Sequence, residues 1–334
     1  MNQDRSIRAL MVNQPNGAFE EVTFACPRPQ PGQVLVRVHA SGVNPLDTKI
    51  RAGAADHARH PLPAILGLDL AGVVEALGDD VTGFEVGDQV YGMTGGVGGV
   101  QGSLSQCAAV DAALLARKPS NLSMREAAAL PLIVITAWEG LVDRARTKAD
   151  QKVLVHGGAG GVGHAAVQIA RALGAEVYAT GEAGDAEVIR GYGAVPIDFR
   201  TQTVDDYVQA YTGGEGFDVV YDTVGGPVLD ASFTAVRRYD GHVVSCLGWG
   251  THKLAPLSFR AATYSGVFTL MPILTGRCRA HHGRILELAA EMVERGQLRP
   301  RLDPRTFDFS SAHEAHALVA SGRSQGKVVI DIRH

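Results

Sequence analysis

The spacing of hydrophobic side chains changes character along this chain. Up to about residue 126 it has the two-residue period of strands. In Gln33–Ala40 apolar and polar side chains alternate, as in a strand with one buried face. Pro27, Pro29, Pro31 and Gly32 form the turn ahead of it, and Ala71–Gly78 and Phe84–Gly92 read as further short strands bounded by glycine turns. Short strands with such turns predict a small barrel-like β domain. Glu126–Leu141 then reads as helical, with a break near Pro131. After it, strands and helices alternate. Lys152–His156 enters a glycine cluster, Ala165–Leu173 is an alanine-rich helix closed by Gly174, and Ala175–Thr180 is a strand. Asp205–Tyr211 predicts a helix. Phe217–Gly226 and Gly241–Gly248 each predict a buried strand and its exit. Arg284–Gly296 is an amphipathic helix ending at glycine, Leu298–Phe309 an extended return, and Ser310–Val319 a helix opened by serine caps, with a last strand after it.

Composition narrows the function classes. A length of 334 residues suits about two domains. With 46% hydrophobic and 20% charged residues the chain is globular, not disordered. A net charge of −4 without a basic block argues against a nucleic-acid partner. No apolar run is long enough to span a bilayer, and the stretch Met1–Arg8 lacks the apolar core of a signal peptide, so a cytoplasmic location without a membrane partner is expected. The four cysteines, Cys26, Cys107, Cys246 and Cys278, are far apart in sequence, as expected for reduced thiols.

The glycine cluster carries the clearest chemistry. Gly158, Gly160 and Gly163 fit G-x-G-x-x-G between a strand and a helix, with a second strand following. Glycine allows a tight turn and close backbone approach. The new helix, with Gly161, Val162 and Gly163 in its first turn, aims its N–H groups and positive dipole end at a pyrophosphate. The alternative is an ordinary strand-to-helix turn. In a parallel sheet the strand exits line the same crevice, which makes Thr223, Val224, Cys246 and Leu247 cofactor-lining candidates. Cys246 has no histidine base adjacent in sequence and reads as a packing cysteine rather than a nucleophile.

Two earlier stretches, Ser41–Gly53 and Pro63–Gly72, taken with the glycine turn and the closing run Gln325–Ile330, resemble the medium-chain dehydrogenase/reductase superfamily, and within it the zinc-free quinone oxidoreductase branch. The resemblance covers nearly the whole chain. It implies an α/β fold: a Rossmann-type doubly wound parallel sheet over 127–296 and a discontinuous GroES-like β-barrel domain made of 1–126 and 297–334. Zinc-dependent members hold catalytic zinc through a Cys-His pair in the first stretch and a His in the second. Those positions are Asn44, Pro45 and Leu68 here, and only Cys107 falls where relatives carry a four-cysteine zinc lobe. Asparagine is a poor zinc ligand, and proline and leucine are none. The expectation is therefore a metal-free site. The histidine pairs His57/His60, His281/His282 and His313/His316 lack matching carboxylate or cysteine partners and read as surface residues.

The resemblance further implies hydride transfer from NAD(P)H to a small-molecule quinone or α,β-unsaturated carbonyl substrate, usually in a homodimer. Rival readings are a zinc-free alcohol or alkenal dehydrogenase and a non-catalytic nucleotide-binding or sensor protein. Asn44 would lie in the cleft, its amide bonding the substrate carbonyl or the cofactor ribose, unless it is only an Asn-Pro turn residue. Lys49 stands near positions where relatives carry pocket aromatics, as does Ala55. It would polarise a carbonyl or bind an anionic substrate, or else be a solvated lysine. Thr136 matches a threonine at the nicotinamide end; its hydroxyl would equally bond a helix carbonyl. At the ribose end Thr180 closes the second strand and Glu182 follows. The lysine of NADP-preferring relatives is replaced by Asp185 and their tyrosine by Phe199, whereas Arg323 matches a phosphate-contacting arginine and Arg190 is a second cation. NADP is favoured, with NAD the alternative. The run Thr94–Ser103, five glycines in ten residues, reads as a flexible loop or a mobile lip.

Overall fold

A computed structural model describes residues 5–334; Met1–Asp4 of the N-terminal stretch considered above lie outside the described residues. The chain divides into two compact units, one reaching to Leu132 and resuming at Leu270–His334, the other Ile133–Thr269.

In the first unit, strands β1 (Ser6–Val12), β2 (Phe19–Ala25), β3 (Gln33–Val43), β4 (Ala64–Ile65), β5 (Asp69–Leu77), β6 (Gln89–Met93), β7 (Cys107–Asp111) and β8 (Leu115–Arg117) are joined by turns, with helix α1 (Pro45–Arg51) leaving β3 and helix α2 (Met124–Ala128) following β8. β1 pairs antiparallel with β2 and β4. The 11-residue β3 is the axis of the second sheet, pairing antiparallel with β5 and β7 and taking two register shifts against β5 that bend it. The alternation expected over Gln33–Ala40 is realised more deeply than one buried face requires, because Val34, Leu35, Val36, Val38 and Ala40 are all buried.

Helix α3 (Pro131–Trp138) leads into the second unit, where β9 (Lys152–His156), α4 (Gly161–Ala172), β10 (Glu176–Gly181), α5 (Ala186–Gly191), β11 (Val195–Asp198), α6 (Val204–Thr212), β12 (Val219–Asp222), α7 (Pro227–Ala235), β13 (His242–Ser245), α8 (Ala255–Ser258) and β14 (Thr263–Gly266) alternate. The strands form one sheet in the order β11-β10-β9-β12-β13-β14, parallel throughout. That order reverses between β9 and β12, the switch point at which doubly wound sheets open a ligand crevice. Leu154, Tyr178, Phe217, Val220, Phe233 and Val243 pack together in the core.

The chain then returns through α9 (Met271–Thr275), α10 (Arg279–Glu294), β15 (Phe307–Asp308), α11 (Ala312–Ala320) and β16 (Val328–Asp331). β16 pairs antiparallel with β3, giving a sheet ordered β15-β16-β3-β5-β6-β8 with β7 attached to β3. The return comes earlier than the expected boundary at 297. Helix α10 belongs to the first unit, where the Tyr91 hydroxyl donates to Leu286 O at 2.6 Å and Gly283 lies close to Ala113 O. Ser311 does not cap α11 with its side chain; the carboxylate of Asp308 accepts the Ser310 N–H one short turn earlier. Leu298–Phe309 is mostly irregular, pairing only at Phe307–Asp308.

The glycine-rich run at 94–103 is packed at both ends, with Gly98 and Gly99 exposed at its tip. Thr94, Val97 and Ser103 are buried, and a Cβ on Gly102 would stand 2.2 Å from Leu66 O, so these glycines let two backbones touch. His282 and His316 are likewise interior, not surface, residues. His316 packs edge-on against Phe19, and burial lowers its pKa to about 3.

Candidate functional site

In the second unit, β9 ends at His156 and the chain turns through Gly157–Gly160 into α4. The glycines serve different ends. Gly157 has a φ of +74°, the left-handed region, and it stands one residue before the motif read from the sequence. A Cβ on Gly158 would meet the Ala179 Cβ at 2.5 Å, and one on Gly163 would meet Gly157 O at 2.0 Å, so both positions admit only glycine without movement. At Gly160, the N-cap of α4, an added Cβ would have only Gly157 O near it, at 3.1 Å. The turn therefore opens outward at Gly160 and Gly161, which are exposed, with Val162 half-buried behind them. The first-turn N–H groups of Gly161, Val162 and Gly163 have no carbonyl one turn back within their helix. A 12-residue helix with that opening fits a nucleotide pyrophosphate.

Side chains brace the turn from below. The Thr180 hydroxyl accepts the Gly157 N–H at 3.1 Å and faces His156 Nδ1 at 3.3 Å, so this buried residue supports the turn from the second strand. Burial lowers the His156 pKa to about 4, against the pull of the Asp222 carboxylate, and keeps the ring neutral. The Thr223 hydroxyl donates to His156 O at 2.6 Å, tying together the exits of β9 and β12. The buried Asp222 carboxylate accepts the Val224 and Gly225 N–H groups and the Ser245 hydroxyl at 2.7 Å, and so shapes two strand exits. Thr223, Cys246 and Leu247 are half-exposed there and Val224 is exposed. Burial, with Asp222 adding to it, pushes the Cys246 thiol up to about 12, which suits a packing residue and not a thiolate nucleophile. Thr136 is buried on α3, and its carbonyl accepts the Tyr221 hydroxyl at 2.6 Å.

At the end of β10 the exposed Glu182 carboxylate accepts Arg200 at 2.7 Å, and that guanidinium lies 5.2 Å from the centroid of the Phe199 ring. Arg200 has no place among the residues singled out from sequence. Asp185, which occupies the lysine position, accepts the Glu182 N–H at 3.2 Å, and Arg190 is exposed on α5.

In the first unit, Asn44 ends β3 and begins α1, with Pro45 at the first helical position and the Asp47 carboxylate returning to the Asn44 N–H at 2.8 Å. The asparagine is 1% exposed. Its Nδ2 donates to Asp69 Oδ2 at 2.9 Å, and the Lys327 ammonium donates to its Oδ1 and to Val43 O. Asp69 Oδ1 accepts the Leu132 N–H at 3.0 Å. Burial raises Asp47 to about 7 and Asp69 to about 6, and it lowers Lys327, which both carboxylates work to keep charged. Leu68 is fully buried. Lys49 is exposed on α1, so the lysine brought to Asn44 is Lys327, 283 residues away in sequence. Arg323 is exposed in the turn after α11, its Nε donating to Ser321 Oγ at 3.2 Å. Among the described residues no group of three or more His, Cys, Asp or Glu could hold a metal ion.

A parallel sheet of this order with a glycine turn at its switch point, in one chain with an antiparallel unit closed by the last strand, defines a nucleotide-binding α/β protein of two units. Residues 30–120 match the alcohol dehydrogenase GroES-like domain and residues 192–330 the zinc-binding dehydrogenase family. The chain is 35% identical over 318 residues to the 2-methylene-furan-3-one reductase of Solanum lycopersicum, covering 93% of this chain and 74% of that one. It is 32% identical to the chloroplastic NADPH-dependent alkenal/one oxidoreductase of Arabidopsis thaliana, covering 93% and 75%. It is 36% identical to the spectinabilin polyketide synthase system protein NorB of Streptomyces orinoci, covering 94% of this chain but only 14% of that much longer one. Among solved structures, an alcohol dehydrogenase superfamily protein from Novosphingobium aromaticivorans superposes with a TM-score of 0.96 at 57% identity, covering 98% of this chain and 100% of that one. The quinone oxidoreductase of Coxiella burnetii gives 0.83 at 28% identity, covering 98% and 100%. The chain belongs to the medium-chain dehydrogenase/reductase superfamily of oxidoreductases.

Proposed function

We propose that this chain is a zinc-independent reductase that moves hydride from NADPH to an α,β-unsaturated carbonyl or quinone. The observation that carries this reading is the Asn44 amide, held between Lys327 and Asp69, where metal-dependent relatives would carry a ligand. Pro45 and the buried Leu68 at the other two positions offer no donor atom. Relatives named as an alkenal/one oxidoreductase, a furanone reductase and a quinone oxidoreductase support the acceptor class.

A reduced nicotinamide dinucleotide, when bound, supplies the hydride. The residues of the chain bind and orient. The α4 N-terminus would hold the pyrophosphate through backbone N–H groups, with Thr180 and Thr223 keeping the turn in shape. A substrate carbonyl or a ribose hydroxyl would be met at the Asn44 amide, which Lys327, Asp69 and Asp47 surround. Arg200, paired with Glu182 at the end of β10, would face the far end of the nucleotide. A 2′-phosphate would compete with Glu182 for its guanidinium, and this supports NADPH; Glu182, once released, would suit the ribose diol of NADH. No helix among the described residues is long and apolar enough to cross a membrane. We infer a cytoplasmic homodimer with no nucleic-acid partner, and light scattering checks the dimer.

The experiment is oxidation of NADPH and NADH by ortho-quinones, para-quinones, short enals and enones, with zinc measured by elemental analysis. Turnover of an enone or quinone without stoichiometric zinc is expected. Turnover of alcohols alone would favour the dehydrogenase reading. Tight nucleotide binding without any turnover would favour the sensor reading. Fluorescence titration of Arg200→Ala should weaken NADPH about tenfold and leave NADH unchanged. Equal weakening of both would sink the assignment of Arg200.

A further inference from the structure

Lys327 enters the function proposed above only as a neighbour of Asn44, and a lysine is among the least common residues to find inside a protein unless it is paired. It is 6% exposed, and it belongs to a set of four buried polar side chains drawn from three distant stretches: Asn44 and Asp47, Asp69, and Lys327. The set has a specific logic of donors and acceptors. An ammonium has three N–H groups and no lone pair, so it bonds Asn44 only through Oδ1. An ionised carboxylate has only acceptors, so Asp69 bonds Asn44 only through Nδ2. Turning the Asn44 amide by 180° would set an NH₂ against the ammonium and a carbonyl against the carboxylate, breaking two buried hydrogen bonds and replacing each with a repulsion. One orientation is therefore enforced from both sides. With the Lys327 and Asp69 bonds made, the amide is left with a second Nδ2 proton and a second Oδ1 lone pair, and Asp47 stands beside it as a third neighbour. Further contacts hold the set, although the buried Asp47 Oδ1 has no hydrogen-bond partner. Lys327 donates to Val43 O at 3.2 Å, at the end of the strand that presents Asn44, and Asp69 accepts from Leu132 N at 3.0 Å.

We propose that Lys327 is the positioning residue of the site: with Asp69 it fixes which way the Asn44 amide faces, Nδ2 toward Asp69 and Oδ1 toward Lys327. The assignment rests on the reading of Asn44 as the polar contact for substrate or ribose. It also explains why the lysine comes from β16, because β16 pairs with β3 in the register Val328↔Val43, next to Asn44.

A mutant cycle on the full-length chain tests it. Lys327→Met removes the ammonium at similar volume, Lys327→Gln keeps an N–H donor without the charge, and Asn44→Ala removes the amide. The measurements are kcat and KM with the best acceptor from the panel, NADPH affinity by fluorescence, and the thermal midpoint. Lys327→Met should lower kcat by about tenfold or more while NADPH affinity stays within about twofold. Lys327→Gln should recover most of that loss, and Lys327→Met should cause no further loss in the Asn44→Ala background. Additive losses in the cycle, or equal kcat losses in the Met and Gln variants that follow their thermal midpoints, would overturn the assignment. If Lys327→Met does not fold, the Gln variant carries the same cycle with Asn44→Ala. Should the wild-type chain reduce no acceptor, the functional reading fails by itself, and the amide orientation is then read directly. The two Nδ2 protons of Asn44, identified by their loss in Asn44→Ala, should give separate, slowly exchanging NMR signals that shift or merge in the Lys327 variant. Signals unchanged by the Lys327 substitution would show that the lysine does not hold the amide.

Discussion

The glycine turn of the second unit and the buried Asn44 set of the first are both built to fix hydrogen-bonding groups, and they reach that end by opposite means. The turn removes side chains. Gly157, Gly158 and Gly163 bring main chain against main chain or a neighbouring methyl, and the donors are backbone N–H groups fixed by the helix itself. The Asn44 set buries side chains instead, and its amide is fixed by charges on residues 25 and 283 positions away. A backbone device tolerates no added atom, while a side-chain device tolerates no lost partner. The first fails sterically and the second electrostatically.

The sharpest way to break the comparison is Gly163→Ala. Its methyl would sit 2.0 Å from Gly157 O, and the helix must shift to admit it. A loss of about 3 kcal/mol, read as a thermal midpoint roughly 10 °C lower together with lost nucleotide binding, is expected. A stable variant that still binds NADPH would show that the turn yields more easily than its geometry implies.

Next comes the electrostatic counterpart, Asp47→Asn. The folded chain holds the Asp47 proton up to about pH 7, whereas an unfolded chain releases it near pH 4. The folded state therefore binds the extra proton between those values. The stabilisation is present at acid pH and is lost as pH rises through 7. The variant lacks this titration. Its stability relative to wild type, followed through the thermal midpoint, should rise from pH 4 to pH 8 by an amount on the order of 2 kcal/mol. A flat difference would mean that Asp47 is ionised throughout.

Smaller still is Gly160→Ala, where the added methyl meets only Gly157 O at 3.1 Å. Stability should change little while NADPH affinity falls about tenfold, because the methyl stands in the opening and not in the packing. Equal losses in both measurements would erase the distinction between Gly160 and Gly163. The smallest effect is expected for Cys246→Ala. A thiol pushed up to about 12 has almost no thiolate at neutral pH, so kcat should stay within about twofold and thiol-blocking reagents should act slowly. Inactivation would restore the nucleophile reading.

The same contrast explains what is legible in the sequence. The strand, glycine turn, helix and second strand are contiguous, and their periodicities announce them. Even there Gly157 escapes the motif, because a sign of φ does not show in a pattern of letters. Position along the chain puts Thr180 at the ribose end, while its side chain points back to brace the turn. The Asn44 set is visible only in fragments. Asn44 stands out as a missing metal ligand and Asp47 is its local capping partner, but Asp69 and Lys327 are brought to it by strand pairing across the chain, and the nearby Lys49 draws attention that belongs to Lys327. Arg200 follows the aromatic position Phe199 and is hidden by it; its role shows only through the pairing with Glu182. The boundary at 297 comes from the family resemblance, and the helix pattern over 284–296 does not say which unit that helix packs on; α10 packs on the first. Glycine content suggests mobility at 94–103, whereas there the missing side chains allow close packing.

The pairing of β16 with β3 has a consequence for how such a chain is made. A ribosome delivers β3, Asn44 and Asp69 early, then the whole parallel sheet, and only at the end the strand that follows Lys327. Until that strand docks, two carboxylates in the interior of the first unit wait without their counter-charge. The second unit is complete in sequence by then and is free to fold first. A chain that stalls or is clipped before residue 327 would keep the parallel sheet and lose the lysine.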